Sequence, residues 1–486
     1  MSRFLIGIDL GTTGCRSVVS DELLNILGES YHEYELIHLS ENEIEQDPEQ
    51  WWSLVKLCVR EAVKKSGVDA GRIAALSISS QGISFLPVDC NGSPLRNAFC
   101  WLDTRAQSQT KSILSHFPES KLFTETGKRV SAGYVLPKIL WLMENEPGTY
   151  EKTHRFLMAG DYINMKLTGR YCTDRTMASG TLLYNINTND WSDELLSAFD
   201  IDGRKLPELV LSGEIIGSIR PEIAAELEIP CSAAVVMGGQ DQKCSAFGAG
   251  IDRHTITASL GTACGMLKKM DYPFADKNMA IPCFSYLFDR SWVLEAVIST
   301  VGASLKWLKG ISFQGIGYDQ INAEVEKLRN TNVMFFPHMA GAASPHWRAE
   351  ARGCFLGLSL STRPADLVLA LFEGVAFQMR RNLEAMPQME ETEALRIFGG
   401  GAKSGVWCGI IADITHLPVN VLETTETAAL GALMLAGKGL GICEDSLVNS
   451  KIRKTYTPSL EKQSYYDAVY DKYCRTEDKL LEAYAY

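Results

Sequence analysis

A short pattern occurs twice in this chain, about half its length apart. Asp9-Leu10-Gly11-Thr12-Thr13-Gly14 returns as Ser259-Leu260-Gly261-Thr262-Ala263-Cys264-Gly265. A short apolar run, residues 4–8, leads into the first copy, and a second run follows each copy, at 17–19 and 266–267. This predicts two β-hairpins with Gly-Thr turns, and two similar halves facing each other. At 486 residues the chain also exceeds what one hydrophobic core sustains. The division is expected near residues 248–251, giving domains of 1–250 and 251–486.

Beyond the first hairpin, apolar runs at 73–79, 234–237 and 395–398 read as buried strands. They alternate with helical stretches, the pattern of α/β architecture. Residues 48–65 place Trp51, Trp52, Val55, Cys58, Val59 and Ala62 mostly at helical spacing, so the tryptophan pair reads as packing. Residues 137–144 and 407–416 read as further helices, and the charged tail 462–482 as a solvated helix face.

Several function classes are excluded early. The net charge of −12 does not suit a general nucleic-acid binder, which needs a basic stripe, although a local phosphate site of backbone amides stays open. No apolar run reaches a membrane span, and residues 1–9 are too short and too soon acidic for a signal peptide, so a cytoplasmic protein is expected. Thirteen cysteines without a CxxC pair read as small core residues of a reducing compartment, Cys58, Cys231 and Cys408 among them. The histidines show no metal spacing, no GxSxG elbow is present, and neither GxGxxG nor a Walker A motif occurs.

Three places carry chemistry. Glycine in the Gly-Thr turns lets backbone amides approach an anion, and Asp9 at the strand end suits Mg²⁺ beside nucleotide phosphates. Only the first copy supplies this carboxylate, because Ser259 takes the matching place. Gly399-Gly400-Gly401-Ala402, between a strand and a helix, suits a flat group such as adenine, or is a plain structural turn. Gly238-Gly239-Gln240-Asp241-Gln242 ends a strand with a carboxylate. Asp241 reads either as a general base or as the N-cap of a following helix.

Taken together, these residues resemble the FGGY carbohydrate kinases of the actin–hexokinase superfamily. Lys138-Ile-Leu-Trp141-Leu-Met-Glu-Asn145 is similar to that family's first pattern. Gly353-Cys-Phe-Leu-Gly357-Leu, Asp366-Leu and Ala370-Leu-Phe-Glu373 are similar to its second. Gly399-Gly-Gly-Ala-Lys-Ser with Trp407 resembles the adenosine motif. Glu45-Gln-Asp-Pro-Glu-Gln-Trp-Trp52 and Trp101-Leu-Asp103-Thr-Arg105 lean towards the xylulokinase branch. Arg16, Asp241-Gln242, Gly302 with Trp307-Leu308, and Pro345-His-Trp347 lean towards glycerol kinases. Gln81-Gly82-Ile83-Ser84 departs from both, since Ile83 replaces a hydrogen-bonding histidine of the xylulokinases and offers a sugar hydroxyl nothing.

The resemblance implies two α/β domains of ribonuclease-H-like type with an active-site cleft between them. It implies ATP-dependent phosphorylation of a small sugar, foremost a ketopentose, with glycerol, a tetritol or another polyol or ketose as alternative. Asp241 would be the base and Asp9 would hold Mg²⁺. Gly11, Thr12, Thr13, Arg16, Gly261, Thr262, Gly302, Gly400, Gly401, Ala402 and Gly405 would bind ATP. Gln81, Gly82, Ile83, Asp103 and Gln242 would shape the sugar site. A homodimer is compatible with the resemblance. A chaperone-like or filament ATPase and a sugar sensor without turnover are the rival readings. Both Asp9 and Asp241 being present speaks against the sensor.

Overall fold

The computed structural model describes residues 3–442 and 451–484. In the first half, β1 (Phe4–Leu10), β2 (Gly14–Ser20), β3 (Ile26–Glu33), β4 (Ile73–Ser80), β5 (Ile215–Ser218) and β6 (Ala234–Gln240) form one sheet. Their spatial order is β5-β6-β4-β1-β2-β3. In the second half, β7 (Thr255–Ser259), β8 (Cys264–Met270), β9 (Cys283–Ser285), β10 (Trp292–Ile298), β11 (Ala394–Phe398), β12 (Val419–Leu422) and β13 (Ile452–Tyr456) form another. Their order is β9-β10-β8-β7-β11-β12-β13.

With β5, β9 and β13 set aside the two orders coincide, β6-β4-β1-β2-β3 and β12-β11-β7-β8-β10. In both, an antiparallel meander of three strands continues into parallel neighbours. The repeat in sequence is thus a repeat of topology. Central strands covered on both faces are apolar almost throughout, as with Leu5, Ile6, Ile8 and Leu10 in β1.

The helices that matter here are α1 (Pro48–Ser66), α2 (Val135–Asn145), α3 (Asp241–Gly248), α4 (Gly302–Ser312), α5 (Pro364–Glu384), α6 (Gly405–Thr415), α7 (Thr427–Gly439) and α8 (Leu460–Ala483). Asp47 caps α1 by accepting from the Glu49 N–H at 2.9 Å, Pro48 opens it, and Gly67 ends it at φ 66°. Trp51 and Trp52 are buried, as their spacing predicts.

Other expectations shift. Helix α2 begins two residues before Pro137, which is tolerated in a first turn because no N–H is needed there. Helix α6 begins at Gly405, since Ser404 accepts from the Trp407 N–H at 3.2 Å, and His416 lies beyond its end at φ 59°. The tail is not merely a solvated face. Tyr466, Tyr470, Tyr473, Glu477 and Leu481 make a buried stripe on α8. Cys58 and Cys408 are core residues, whereas Cys231 is exposed.

The halves join by exchanging helices. α7, from the second half, lies on the first sheet, with Ala429, Leu433 and Ala436 packed among Leu5, Val18, Ala75 and Val236. α3, from the first half, packs Cys244, Ala246 and Phe247 against Leu267 and Val293 of the second sheet. The two helices cross at backbone contact. A Cβ on Gly431 would lie 2.1 Å from the Cys244 carbonyl oxygen, and one on Gly248 2.1 Å from that of Thr427.

Gly431→Ala is therefore expected to destabilise by about 1–3 kcal/mol through overpacking, against the ~1 kcal/mol that alanine gains over glycine in a helix. Gly310→Ala, at an exposed position of α4 with nothing within 4 Å of the added carbon, should stabilise instead. Denaturant midpoints of the two variants check this. A stabilised Gly431→Ala would contradict the tight crossing.

Candidate active site

Strand β1 delivers Asp9 to the cleft, where Asp9 Oδ1 accepts from Ser79 Oγ of β4 at 3.0 Å. In the turn beyond it, every carbonyl is tied down. Tyr34 Oη donates to the Gly11 oxygen, Gln46 Nε2 to that of Thr12 at 2.8 Å, and Tyr34 N–H to that of Thr13 at 3.0 Å. Trp101 Nε1 donates to Thr12 Oγ1 at 2.9 Å. Among the described residues no acceptor faces the N–H groups of Thr12 and Thr13. The second turn is built alike. The Gly302 N–H donates to the Gly261 oxygen at 2.9 Å, and the Val301 and Ala303 N–H groups donate to that of Thr262, while the Thr262 and Ala263 N–H groups stay open. A Cβ on Gly302 would sit 2.5 Å from the Gly261 oxygen, so only glycine allows this approach. Two turns with fixed carbonyls and open amides make anion cradles.

Asp241 is the first residue of α3, not its cap. Gln240 caps the helix by accepting from the Lys243 N–H at 3.3 Å, which removes the N-cap reading of Asp241. Asp241 Oδ1 accepts from the Gln242 N–H at 2.7 Å and from Gln240 Nε2. Burial, with Asp9 opposite, pushes its carboxyl up to about 7, against the pull of the Gln242 N–H and of Lys243. Burial likewise pushes Asp9 up to about 6, with Ser79 opposing, Glu426 adding to the rise and Arg16 opposing it. Lys243 itself is engaged with Glu295 Oε2 at 2.5 Å. Gln242 points to the second hairpin, where its Oε1 is buried without a hydrogen-bond partner beside Gly265.

The sugar-side residues divide. Gln81 is buried beside the first turn, its N–H donating to the Leu10 oxygen at 2.8 Å and its Nε2 to Tyr34 Oη at 3.3 Å. Gly82 packs on Gln240, the neighbour of Asp241. Ile83 adopts φ 55°, a strained value for a β-branched residue, with its Cγ2 against Gly180. Asp103 does not reach the cleft as a free acceptor. It is fully buried, accepts from the Ile44 N–H at 2.8 Å, and pairs with Arg105 at 2.8 Å. It anchors the loop that presents Trp101. Arg16 also has partners already, Glu29 at 3.1 Å and Glu426 at 2.9 Å. Sequence reasoning passed over Trp101 and Glu295, although Trp101 stands in a motif it had singled out.

A cavity of about 1210 Å³ adjoins the second turn, lined by Gly261, Thr262, Gly302, Gly400 and Gly401. Trp307 and Tyr318 add aromatic surface, and Asn322 a side-chain amide held by Ser404 Oγ at 2.9 Å. Ala402 and Gly405 stand behind the wall. The Ala402 oxygen accepts from Arg453 Nη2 at 3.1 Å, and Gly405 leaves room for the Tyr456 hydroxyl.

Residues 4–248 match the N-terminal domain, and residues 256–440 the C-terminal domain, of the FGGY family of carbohydrate kinases. The chain belongs to that family. It is a sugar kinase, a phosphotransferase with the mixed α/β two-domain fold of this group. It is 30% identical to the xylulose kinase of Bacillus subtilis, over 97% of this chain and 96% of that one. It is 30% identical to the glycerol kinase of Burkholderia multivorans, over 95% of each. In fold it matches the ligand-bound xylulose kinase of Lactobacillus acidophilus with a TM-score of 0.94, at 24% identity over 99% of each chain.

The raised Asp241 carboxyl has a signed consequence for this kinase. An unfolded aspartate titrates near ~3.9, so the stability tied to the folded value of about 7 is complete below the lower figure and lost as pH rises through the upper one. Asp241→Asn has no charge to bury. Its denaturation midpoint should exceed the parent's at about pH 8, with the gap closing towards about pH 5. A gap independent of pH would count against the buried carboxylate.

Proposed function

We propose that this sugar kinase transfers the γ-phosphoryl group of ATP to a hydroxyl of a ketopentose in the cleft between lobes 1–250 and 251–486. The observation that carries this reading is the pairing of two open-amide turns with one carboxyl held near neutrality. The sugar oxygen forms a bond to the γ-phosphorus as the bond to the β–γ bridging oxygen breaks. The hydroxyl proton passes to Asp241, whose raised pKa makes it a stronger base than an exposed aspartate. Amides of residues 12–13 and 262–263 take the charge on the transferring group, the main task in phosphoryl transfer. Gly400 and Gly401 give the adenosine a flat wall.

Asp9 fits Mg²⁺. It is a carboxyl short of water, bonded to one hydroxyl, with a second acid close enough to raise it. When bound, the metal would neutralise the phosphates and restore the Asp9 charge. Arg16 would take part in phosphate binding by leaving Glu426.

A second reading is a shorter polyol such as glycerol or a tetritol. The similarity to glycerol kinases agrees with it. Among the described residues no helix is long and apolar enough to cross a membrane, and we place the enzyme in the cytoplasm, with a homodimer compatible.

ADP release over a panel of ketoses, polyols and aldoses decides between the readings. A ketopentose should turn over best, and a C3 or C4 polyol ahead of all ketoses would install the second reading. Asp241→Asn should lower turnover by about 10²–10⁴-fold with calorimetric affinities for nucleotide and sugar little changed. Near-normal turnover would remove Asp241 as the base.

A further inference from the structure

Apart from Asp9 and Asp241, seven carboxylates are buried among the described residues, and six of them are matched. Glu45 meets Arg96 and Arg105, and Asp103 meets Arg105. Asp413 meets Lys462, and Glu477 meets Arg381, His338 and His346. Asp161 accepts from the Met158 N–H at 3.0 Å, and Asp174 from the Thr176 N–H at 2.7 Å. The seventh is Glu373 on α5. It is 4% exposed, and its one bond is a long one, from Tyr466 Oη at 3.4 Å. Burial pushes its carboxyl up to about 8.

Glu373 lines a cavity of about 480 Å³ that shares no lining residue with the cavity beside the second turn. The cavity lies between α5, α8 and the hairpin of Met334–Phe336 and Cys354–Leu356. Its other walls include Phe335, Phe377, Tyr465 and Tyr473, with Asn330 and the exposed Lys472. An isolated acid in such a place is costly in its charged form, and aromatic faces attract cations. Aromatic walls around one unmatched carboxylate are the recognition chemistry of an organic ammonium ion. Lys472 disfavours a second positive charge on the same ligand.

We propose that this cavity is a binding site for a small primary monoammonium compound with an apolar body, its ammonium seated on the Glu373 carboxylate. The site is separate from nucleotide and sugar binding, and its occupant supplies the partner that the fold withholds.

Calorimetry on the full chain with benzylammonium chloride, and benzyl alcohol as its uncharged counterpart, tests this. Benzylammonium should bind one to one and the alcohol about tenfold or more weaker, the value of one charge-assisted hydrogen bond. Glu373→Gln should abolish the preference. Should that variant fail to fold, Lys472→Ala at the exposed rim should tighten benzylammonium and leave the alcohol unchanged. Equal affinity for amine and alcohol, no binding of either, a preference surviving in Glu373→Gln, or an amine affinity unmoved or weakened in Lys472→Ala would each overturn the proposal.

Discussion

Helices α3 and α7 touch backbone to backbone because residues 248 and 431 have no side chain, and the geometry of the cleft follows from that contact. Each helix belongs by sequence to one half and packs on the sheet of the other. The exchange ties the lobes at one crossing and sets Asp241, at the start of α3, between the two hairpin turns. Gly7 extends the same constraint into β1, where a Cβ would lie 2.5 Å from the Ala429 oxygen. Asp9, two residues further along that strand, is thereby held in register with α7.

Electrostatics gives this frame its chemical character. Burial raises the pKa of both Asp9 and Asp241, and Asp9 raises that of Asp241 further. Their packing makes the charged form of either acid unfavourable. Around them Arg16, Glu426, Lys243 and Glu295 form pairs running from hairpin to helix and from helix to sheet. Within them Arg16 and Lys243 favour the charged form of the acids, and Glu426 and Glu295 oppose it.

Much of this was legible in the chain. The Gly-Thr echo located both open-amide turns because close backbone approach demands glycine, and such demands leave a mark in one-dimensional sequence. Asp9 and Asp241 were legible for a related reason, standing where apolar strands stop. What local sequence conceals is contact between distant segments. Asp103 read as a sugar ligand, yet its carboxylate is bound to Ile44 and Arg105. Arg16 read as a phosphate ligand, and its pairing with Glu426 joins residues far apart in the chain. Ala402 and Gly405 read as adenosine ligands, yet they do not line the cavity beside the second turn. The tyrosine stripe of α8 was hidden by intervening charges, although its spacing of three and four residues is regular. Ile83 shows strain only through its φ angle, which no composition reveals.

The central claim is that one active site is assembled from both halves about a fixed crossing. Hydrogen–deuterium exchange, read peptide by peptide with nucleotide alone, sugar alone and both, addresses it most directly. The amides of residues 12–13 and 262–263 should gain protection together when both ligands are present, while α3 and α7 stay protected in every state. Protection of one turn with the other left unchanged, or opening of α3 and α7 on binding, would contradict the account.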